Sequence, residues 1–431
     1  MPDFGLATSG FGLAAVVIFI AAYGFVIFEE GLDMRKSKPV LVAAGVIWAL
    51  IGIAFARQGH SEVAGEQAKH LLGEFGELFL FLLVAITYVN CLEERRVFEA
   101  LRTKMSARRM TYKQVFWFTG IAAFFLSSVL DNLTTALVLG AVVLAIGKAN
   151  KAFVAIACIN VVVAANAGGA FCPFGDITTL MVWQKGKLEF FEFFHLFLPS
   201  AINWLVPAVI MSFAMPSGAP SAELDTQHMK PGARGVMILF ALTIITAVAF
   251  RNFLDLPPAL GMMLGLGYLQ IWSYFLQQNS KRKSNADMML NSFKEISRVE
   301  WDTMLFFFGI IFAVGGLGVL GHLALASHWL YTGHGPTIAN ITIGLLSAIV
   351  DNIPLMFAVL TMNPAMDHSQ WLLITLTAGV GGSLLSIGSA AGVALMGLAR
   401  GQYTFTSHLK WTWAIAAGYA ASIVVHLVMN G

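Results

Sequence analysis

The chain has 431 residues, 58% of them hydrophobic and 12% charged, with a mean hydropathy of +0.75. A water-soluble domain carries about 25% charged residues, so this composition excludes one and describes an all-α polytopic membrane protein, a single transmembrane domain over 1–431. The net charge of +2 says nothing about nucleic acid, and none is expected as a partner; the partner that the composition does imply is the lipid bilayer.

A helix needs about 20 apolar residues to cross a bilayer. In chain order, spans are expected near 10–28, 40–56, 71–91, 152–184, 197–215, 235–250, 257–276, 301–325, 371–399 and 411–429. The first follows an acidic rather than a basic start and has no clear cleavage site, so it reads as a retained span. Cys91, Cys158 and Cys172 fall in or beside apolar segments, in no metal or disulfide spacing, and read as packing residues.

Two further runs, near 115–147 and 337–361, are interrupted by polar breaks: Asp131-Asn132-Leu133-Thr134-Thr135 and Asp351-Asn352-Ile353-Pro354-Leu355. A carboxylate inside an apolar run is expensive in lipid and marks a functional site by default. One continuous helix would leave each break unsatisfied in hydrocarbon. A bend turns each run into a re-entrant helical hairpin with its tip buried in protein. The runs 152–184 and 371–399 are too long for one straight helix and glycine-rich in the middle, so each reads as a broken transmembrane helix.

The basic residues orient this layout. With each hairpin returning to its own side, the segments 29–38, 92–113, 148–151, 216–234, 277–300 and 400–410 hold 21 of the 26 lysines and arginines. Such an excess marks the cytoplasmic side. Both termini then lie outside, the base of the first hairpin inside and that of the second outside. Opposite orientation makes the two halves inverted-topology repeats, expected over 40–215 and 257–429. The sequence repeats too. NAGGAFCPFGD (166–176) aligns with GVGGSLLSIGS (379–389), matching Gly168, Gly169 and Gly175 to Gly381, Gly382 and Gly388, and Asp176 to Ser389. The basic linkers 92–113 and 277–300 are expected on the membrane surface.

Helix breaks at mid-membrane expose carbonyl and side-chain oxygens, the ligands hard cations prefer. The first half offers Asp131, Asn132, Thr134, Thr135, Asn166, Asp176 and Thr178. The second offers Ser347, Asp351, Asn352, Ser383, Ser386 and Ser389. No Cys or His ligand pattern accompanies them, which argues against a transition metal. Helix capping is the bland reading of the same residues, and the two roles are compatible. Away from the breaks, Glu77 lies in an apolar run with His70 two turns before it, and Glu74 is expected to be solvated near the span end. Asp302 opens the span 301–325 as a surface N-cap or a functional carboxylate. His322, His328 and His334 read as solvated span ends, FEFFHLF (191–197) and WTW (411–413) as interfacial anchors, and Met288-Met289 as packing.

The motifs LDNLTT, NAGGAFCPFGDITT, VDNIPLMFAV and GVGGSLLSIGSAAG resemble those of the NhaD-type sodium/proton antiporters of the ion transporter superfamily. The resemblance covers nearly the whole chain, from about Gly31 onward. It implies two inverted repeats with re-entrant hairpins and broken helices, in an inner (plasma) membrane protein that is a homodimer. It implies export of Na+ or Li+ in exchange for H+, with no cofactor beyond the transported ions. It places importance on His70, Glu77, Asp131, Asn132, Asn166, Asp176, Thr178, Asp302, Ser347, Asn352, Ser386 and Ser389. A histidine that the family carries after the first broken helix has no obvious counterpart; Lys187 lies near the spot and His195 comes later. The expected mechanism is competition of Na+ and H+ for the same carboxylates, with Glu77 and His70 tuning the pH response. The alternatives within the superfamily are a di- or tricarboxylate–sodium symporter and an arsenite efflux permease. An aspartate before each hairpin asparagine would repel an anionic substrate. A membrane-embedded enzyme would need a nucleophile–base pair or a metal site, and the sequence offers neither.

Overall fold

The computed structural model describes residues 5–27, 29–32, 34–106, 110–147, 150–218, 228–283, 287 and 289–431. The acidic start, half of the 148–151 link, Met288 and parts of the two basic linkers lie outside the described residues.

The described chain is helical, without strands. It forms α1 (Gly10–Ile27), α2 (Glu29–Leu32), α3 (Ser37–Arg57), α4 (Ser61–Glu94), α5 (Val97–Ser106), α6 (Tyr112–Leu126) and α7 (Asn132–Gly147). Next come α8 (Lys151–Gly169), α9 (Ile177–Gln184), a 3-10 turn (Glu192–Leu196), α10 (Phe197–Ser212), α11 (Ala233–Leu254), α12 (Pro258–Lys283), α13 (Ser292–Ser297), α14 (Trp301–Val319) and α15 (His322–Ser327). A π turn (His328–Thr332) leads to α16 (Pro336–Leu346), α17 (Asn352–Met362), α18 (His368–Gly381), α19 (Ala390–Leu398), α20 (Phe405–Leu409) and α21 (Thr412–Asn430). Among the described residues, nine helical stretches are long and apolar enough to cross a membrane. The chain divides into two compact units, Met1–Glu99 with Gln227–His328, and Ala100–Thr226 with Trp329–Gly431.

In the first unit α14 packs on α3 through glycines. A Cβ on Gly309 would collide with Val40, and one on Gly316 with Ile47. In lipid, helices associate by such close packing and by hydrogen bonds rather than by leaving water. The Trp48 indole accordingly donates to the Phe312 carbonyl at 2.9 Å. The span expected at 301–325 ends at Val319, because Gly321 turns the chain at φ +96, where a side chain would be strained. The described parts of the expected surface linkers are tied into the bundle. Arg95, fully buried, pairs with Glu94 and donates to the carbonyls of Pro231 (3.0 Å), Asp287 (2.9 Å) and Met289 (2.6 Å). Arg298 bridges Glu93 (3.0 Å) and Glu295 (2.8 Å).

The second unit has α8 and α18 at its centre. Sixteen of the nineteen residues of α8 and eleven of the fourteen of α18 are buried, the pattern of helices apolar all round. Asn150 caps the start of α8 and Asp367 that of α18. On α8, Asn160 donates to the Phe116 carbonyl (2.8 Å) and accepts from the Trp204 indole (2.8 Å), fastening α6 and α10. In the second half, Thr377 donates to the Asn340 carbonyl (2.9 Å) and joins α18 to α16.

Both long runs expected to break do so. The run 152–184 is α8 and α9 with non-helical residues 170–176 between them; 371–399 is α18 and α19, separated by 382–389. Both DN runs also split, into α6 with α7 and α16 with α17. The order helix, break, helix, long helix, break, short helix thus occurs twice in this unit.

Candidate functional site

Each break ends at a helix N-terminus, where free backbone N–H groups and the helix dipole favour negative charge. The sequence supplies an acceptor at each. Asp131 precedes α7 and accepts from the Thr134 N–H (2.8 Å) and hydroxyl (2.7 Å). Asp176 caps α9 and accepts from the Thr178 N–H at 2.9 Å. Asp351 caps α17, accepting from the Ile353 N–H at 3.5 Å. Ser389 caps α19, accepting from the Gly392 N–H at 3.2 Å. Capping, the bland reading of these residues, is therefore present.

The caps do not use all of the groups. The second oxygen of Asp176, Oδ2, accepts from the side-chain amides of Asn132 (2.6 Å) and Asn352 (3.2 Å). The asparagines of both DN motifs thus converge on one carboxylate, which is 7% exposed. Among the described residues, no ion pair reaches Asp176 or Asp131. The Asn132 Oδ1 accepts from the Ser127 hydroxyl at 2.6 Å. Asn166, on the buried face of α8, donates to the Ser389 Oγ at 3.1 Å and so links the first broken helix to the second.

Among the described residues, several buried oxygens have no hydrogen-bond partner: Asn166 Oδ1, Thr135 Oγ1 and Ser386 Oγ, each on a residue at most 1% exposed. Buried polar atoms are nearly always satisfied, so orphaned oxygens on the residues in and near the breaks are what an oxygen-liganded cation or a proton-bearing water would satisfy. Ser347, fully buried, donates to the Ala378 carbonyl (2.9 Å), and Ser383 to that of Val380 (2.6 Å).

The glycines let the breaks close up. A Cβ on Gly168 would meet the Phe124 carbonyl oxygen, and one on Gly381 that of Gly344. Likewise Gly175 abuts the Ser127 carbonyl, and Gly388 those of Ser347 and Ala348. The glycines match in the register that pairs Asp176 with Ser389, and the carbonyls they meet match in the register that pairs Asp131 with Asp351.

Sequence reasoning does not single out Ser127, although a signal exists: it stands four residues before Asp131, as Ser347 stands before Asp351. Thr179 is a second such residue. Its hydroxyl donates to the carbonyls of Asp176 (2.7 Å) and Cys172 (3.0 Å), shaping the first break. The position without a clear family histidine resolves into a clasp. The Lys187 ammonium donates to Asn363 Oδ1 (2.6 Å) and lies 5.3 Å from the centre of the Trp371 ring, while His195 is exposed.

His70, Glu77 and Asp302 belong to the first unit. On α4 the His70 Nδ1 lies 3.1 Å from the Glu74 carboxylate, so Glu74 is engaged rather than simply solvated. Asp302 accepts from the Ser37 hydroxyl and is the second residue of α14. Glu300 holds the cap position, which removes the N-cap reading of Asp302. His322 is bound as well, 3.0 Å from the Gly12 carbonyl.

Crossing-length apolar helices, with an oxygen-lined cluster at the ends of interrupted ones, define a membrane transporter. A family model described as "Citrate transporter" matches residues 4–379. The chain is 53% identical to a protein of Vibrio cholerae named Na(+)/H(+) antiporter NhaD, over 99% of this chain and 93% of that protein. It is also 53% identical to the protein of that name from Alkalimonas amylolytica, over 99% and 92%. It is 32% identical to sodium/proton antiporter 1 of Arabidopsis thaliana, over 97% and 72%. The chain belongs to the citrate-transporter family and, within it, to the family of NhaD-type antiporters.

Proposed function

We propose that this protein exports Na+ in exchange for H+, with the cluster around Asp176 as the shared site. The observation that carries the reading is the convergence of the Asn132 and Asn352 amides on the Asp176 carboxylate, with no basic residue paired to it among the described residues. Two amides steady the carboxylate without neutralising it, so its charge stays available to Na+ or H+ but not to both. Asp131, Asn132, Thr134, Asn166, Thr178, Ser347, Asp351, Asn352, Ser386 and Ser389 complete the ion-binding region. Rising pH removes the competing proton and favours Na+. Li+, with the same charge and hard character, is a second substrate. Glu77, His70 and Asp302 tune the pH response, and no cofactor takes part.

In this reading the two halves, 40–215 and 257–429, are inverted repeats, and α6–α7 and α16–α17 are re-entrant hairpins. The matched glycine contacts of the two halves support the repeat, and the placement of basic residues supports the inversion. The protein is a homodimer in the plasma membrane with both termini outside.

The name of the matching family model favours a second reading, a carboxylate carrier. The charges oppose it. The positive ends of α7, α9 and α17 would favour an anion, but Asp131, Asp176 and Asp351 stand on them. The test is collapse of a preset pH gradient in proteoliposomes. Na+ and Li+ are expected to dissipate it, and citrate and arsenite not to. A response to citrate without one to Na+ would overturn the reading.

A further inference from the structure

The second break is held in shape from outside itself. The segment between α19 and α21 carries Tyr403 and His408, 1% and 0% exposed. The His408 Nε2 is 2.9 Å from the Ser383 carbonyl oxygen, and its Nδ1 is 2.8 Å from the Tyr403 hydroxyl. A carbonyl only accepts, so Nε2 carries the proton. In the neutral ring Nδ1 is then the acceptor, and the Tyr403 O–H donates to it. Thr412 donates to the neighbouring Leu384 carbonyl at 2.9 Å. The carbonyls of Ser383 and Leu384, which continuation of α18 would have used, are thus engaged by α20 and α21. A few residues on, the same break presents Ser386, with its orphaned Oγ, and Ser389. Among the described residues the first half has no counterpart of this device. In the register that matches Asp176 to Ser389, His408 falls on His195, which is exposed.

We propose that His408 is a positioning residue for the cation site, setting the path of the second break so that Ser386 and Ser389 meet the ion. This rests on the antiport reading of the Asp176 cluster. The ring does not touch the ion. It orients the Ser383 peptide, and Tyr403 fixes which ring nitrogen bears the proton. Without the Nε2 donor the buried Ser383 carbonyl has lost its partner, which is unfavourable enough to make the break rearrange. A cation site tolerates little such movement, because its ligands are productive only within about 0.5 Å of their places.

The test uses the full chain in proteoliposomes, with KM for Na+ and maximal rate read from collapse of a pH gradient. His408→Leu is expected to raise KM about tenfold with a much smaller change in maximal rate. His408→Gln, whose amide nitrogen takes the place of Nε2, should bring KM back to within about twofold of the unmodified protein. Tyr403→Phe, which keeps the packing and removes only the hydroxyl, should raise KM about threefold. An unchanged KM in His408→Leu, a fall in rate alone, or His408→Gln as impaired as His408→Leu would overturn the proposal. If His408→Leu does not purify as a folded protein, Tyr403→Phe decides, and an unchanged KM there overturns it. Absence of Na+-driven exchange in the unmodified protein would instead sink the antiport reading itself, and with it the site that His408 positions.

Discussion

Asp176 and Ser389 sit in the same backbone conformation, φ −142° and ψ 149° against φ −138° and ψ 146°, each capping the short helix that follows a break. The two breaks share a scaffold and differ in chemistry, with a carboxylate in one place and a hydroxyl in the other. Asn166 reaches across from the first to bond the Ser389 hydroxyl.

Asp176→Asn should abolish exchange. Asparagine caps nearly as well as aspartate, so α9 should persist. What disappears is the charge and the acceptor that faces two amide donors. In a poorly hydrated site a unit charge counts for several times more than in water. The expected result is a folded protein in size-exclusion chromatography with Na+-driven gradient collapse reduced at least about a hundredfold, roughly 2.7 kcal/mol. Substantial exchange by this variant would remove Asp176 from the centre of the mechanism.

Asp131→Asn should be milder. Both of its oxygens are engaged by Thr134 of its own helix, and the amide that follows it, on Asn132, points to Asp176. Exchange should fall about three- to tenfold, mostly as a higher Na+ KM, since the group contributes field rather than a shared contact. A loss as complete as that of Asp176→Asn would place Asp131 in direct contact with the ion.

Gly168→Ala and Gly381→Ala should destabilise the protein by similar amounts, about 1–3 kcal/mol each, because the added methyl meets a carbonyl oxygen of α6 in the first and of α16 in the second. Thermal unfolding in detergent would measure this. Gly397→Ala, where a Cβ meets nothing within 4 Å, is the control. A destabilisation confined to one of the pair would count against equivalent packing in the two halves.

Single cysteines at Lys151 and Ala365, both exposed, test the orientation after replacement of Cys91, Cys158 and Cys172, all buried. A membrane-impermeant thiol reagent is expected to reach Ala365→Cys only from outside and Lys151→Cys only from inside. The reverse pattern for either would break the inverted arrangement.

Much of the fold is legible in the amino-acid sequence. A polar pair inside an apolar run cannot be ignored in lipid, so both DN breaks stand out, as do the glycine-rich interruptions with their matched register. Three aspartates at three breaks look alike in sequence, however, and only packing makes Asp176 the one on which Asn132 and Asn352 meet. His408 carries no local sign, because its partner Ser383 is 25 residues away and the contact is to a backbone atom. The engagement of Glu74 by His70 is readable from their spacing of one helical turn, yet Glu77, deeper in the apolar run, is the more conspicuous carboxylate.

The carbonyl of Cys172 in one break, and those of Ser383 and Leu384 in the other, take hydrogen bonds from Thr179, His408 and Thr412. A frame braced by its own walls behaves as a gauge rather than a glove. Under the antiport proposal its ligands stand in place before an ion arrives, so that little of the binding free energy goes into ordering them.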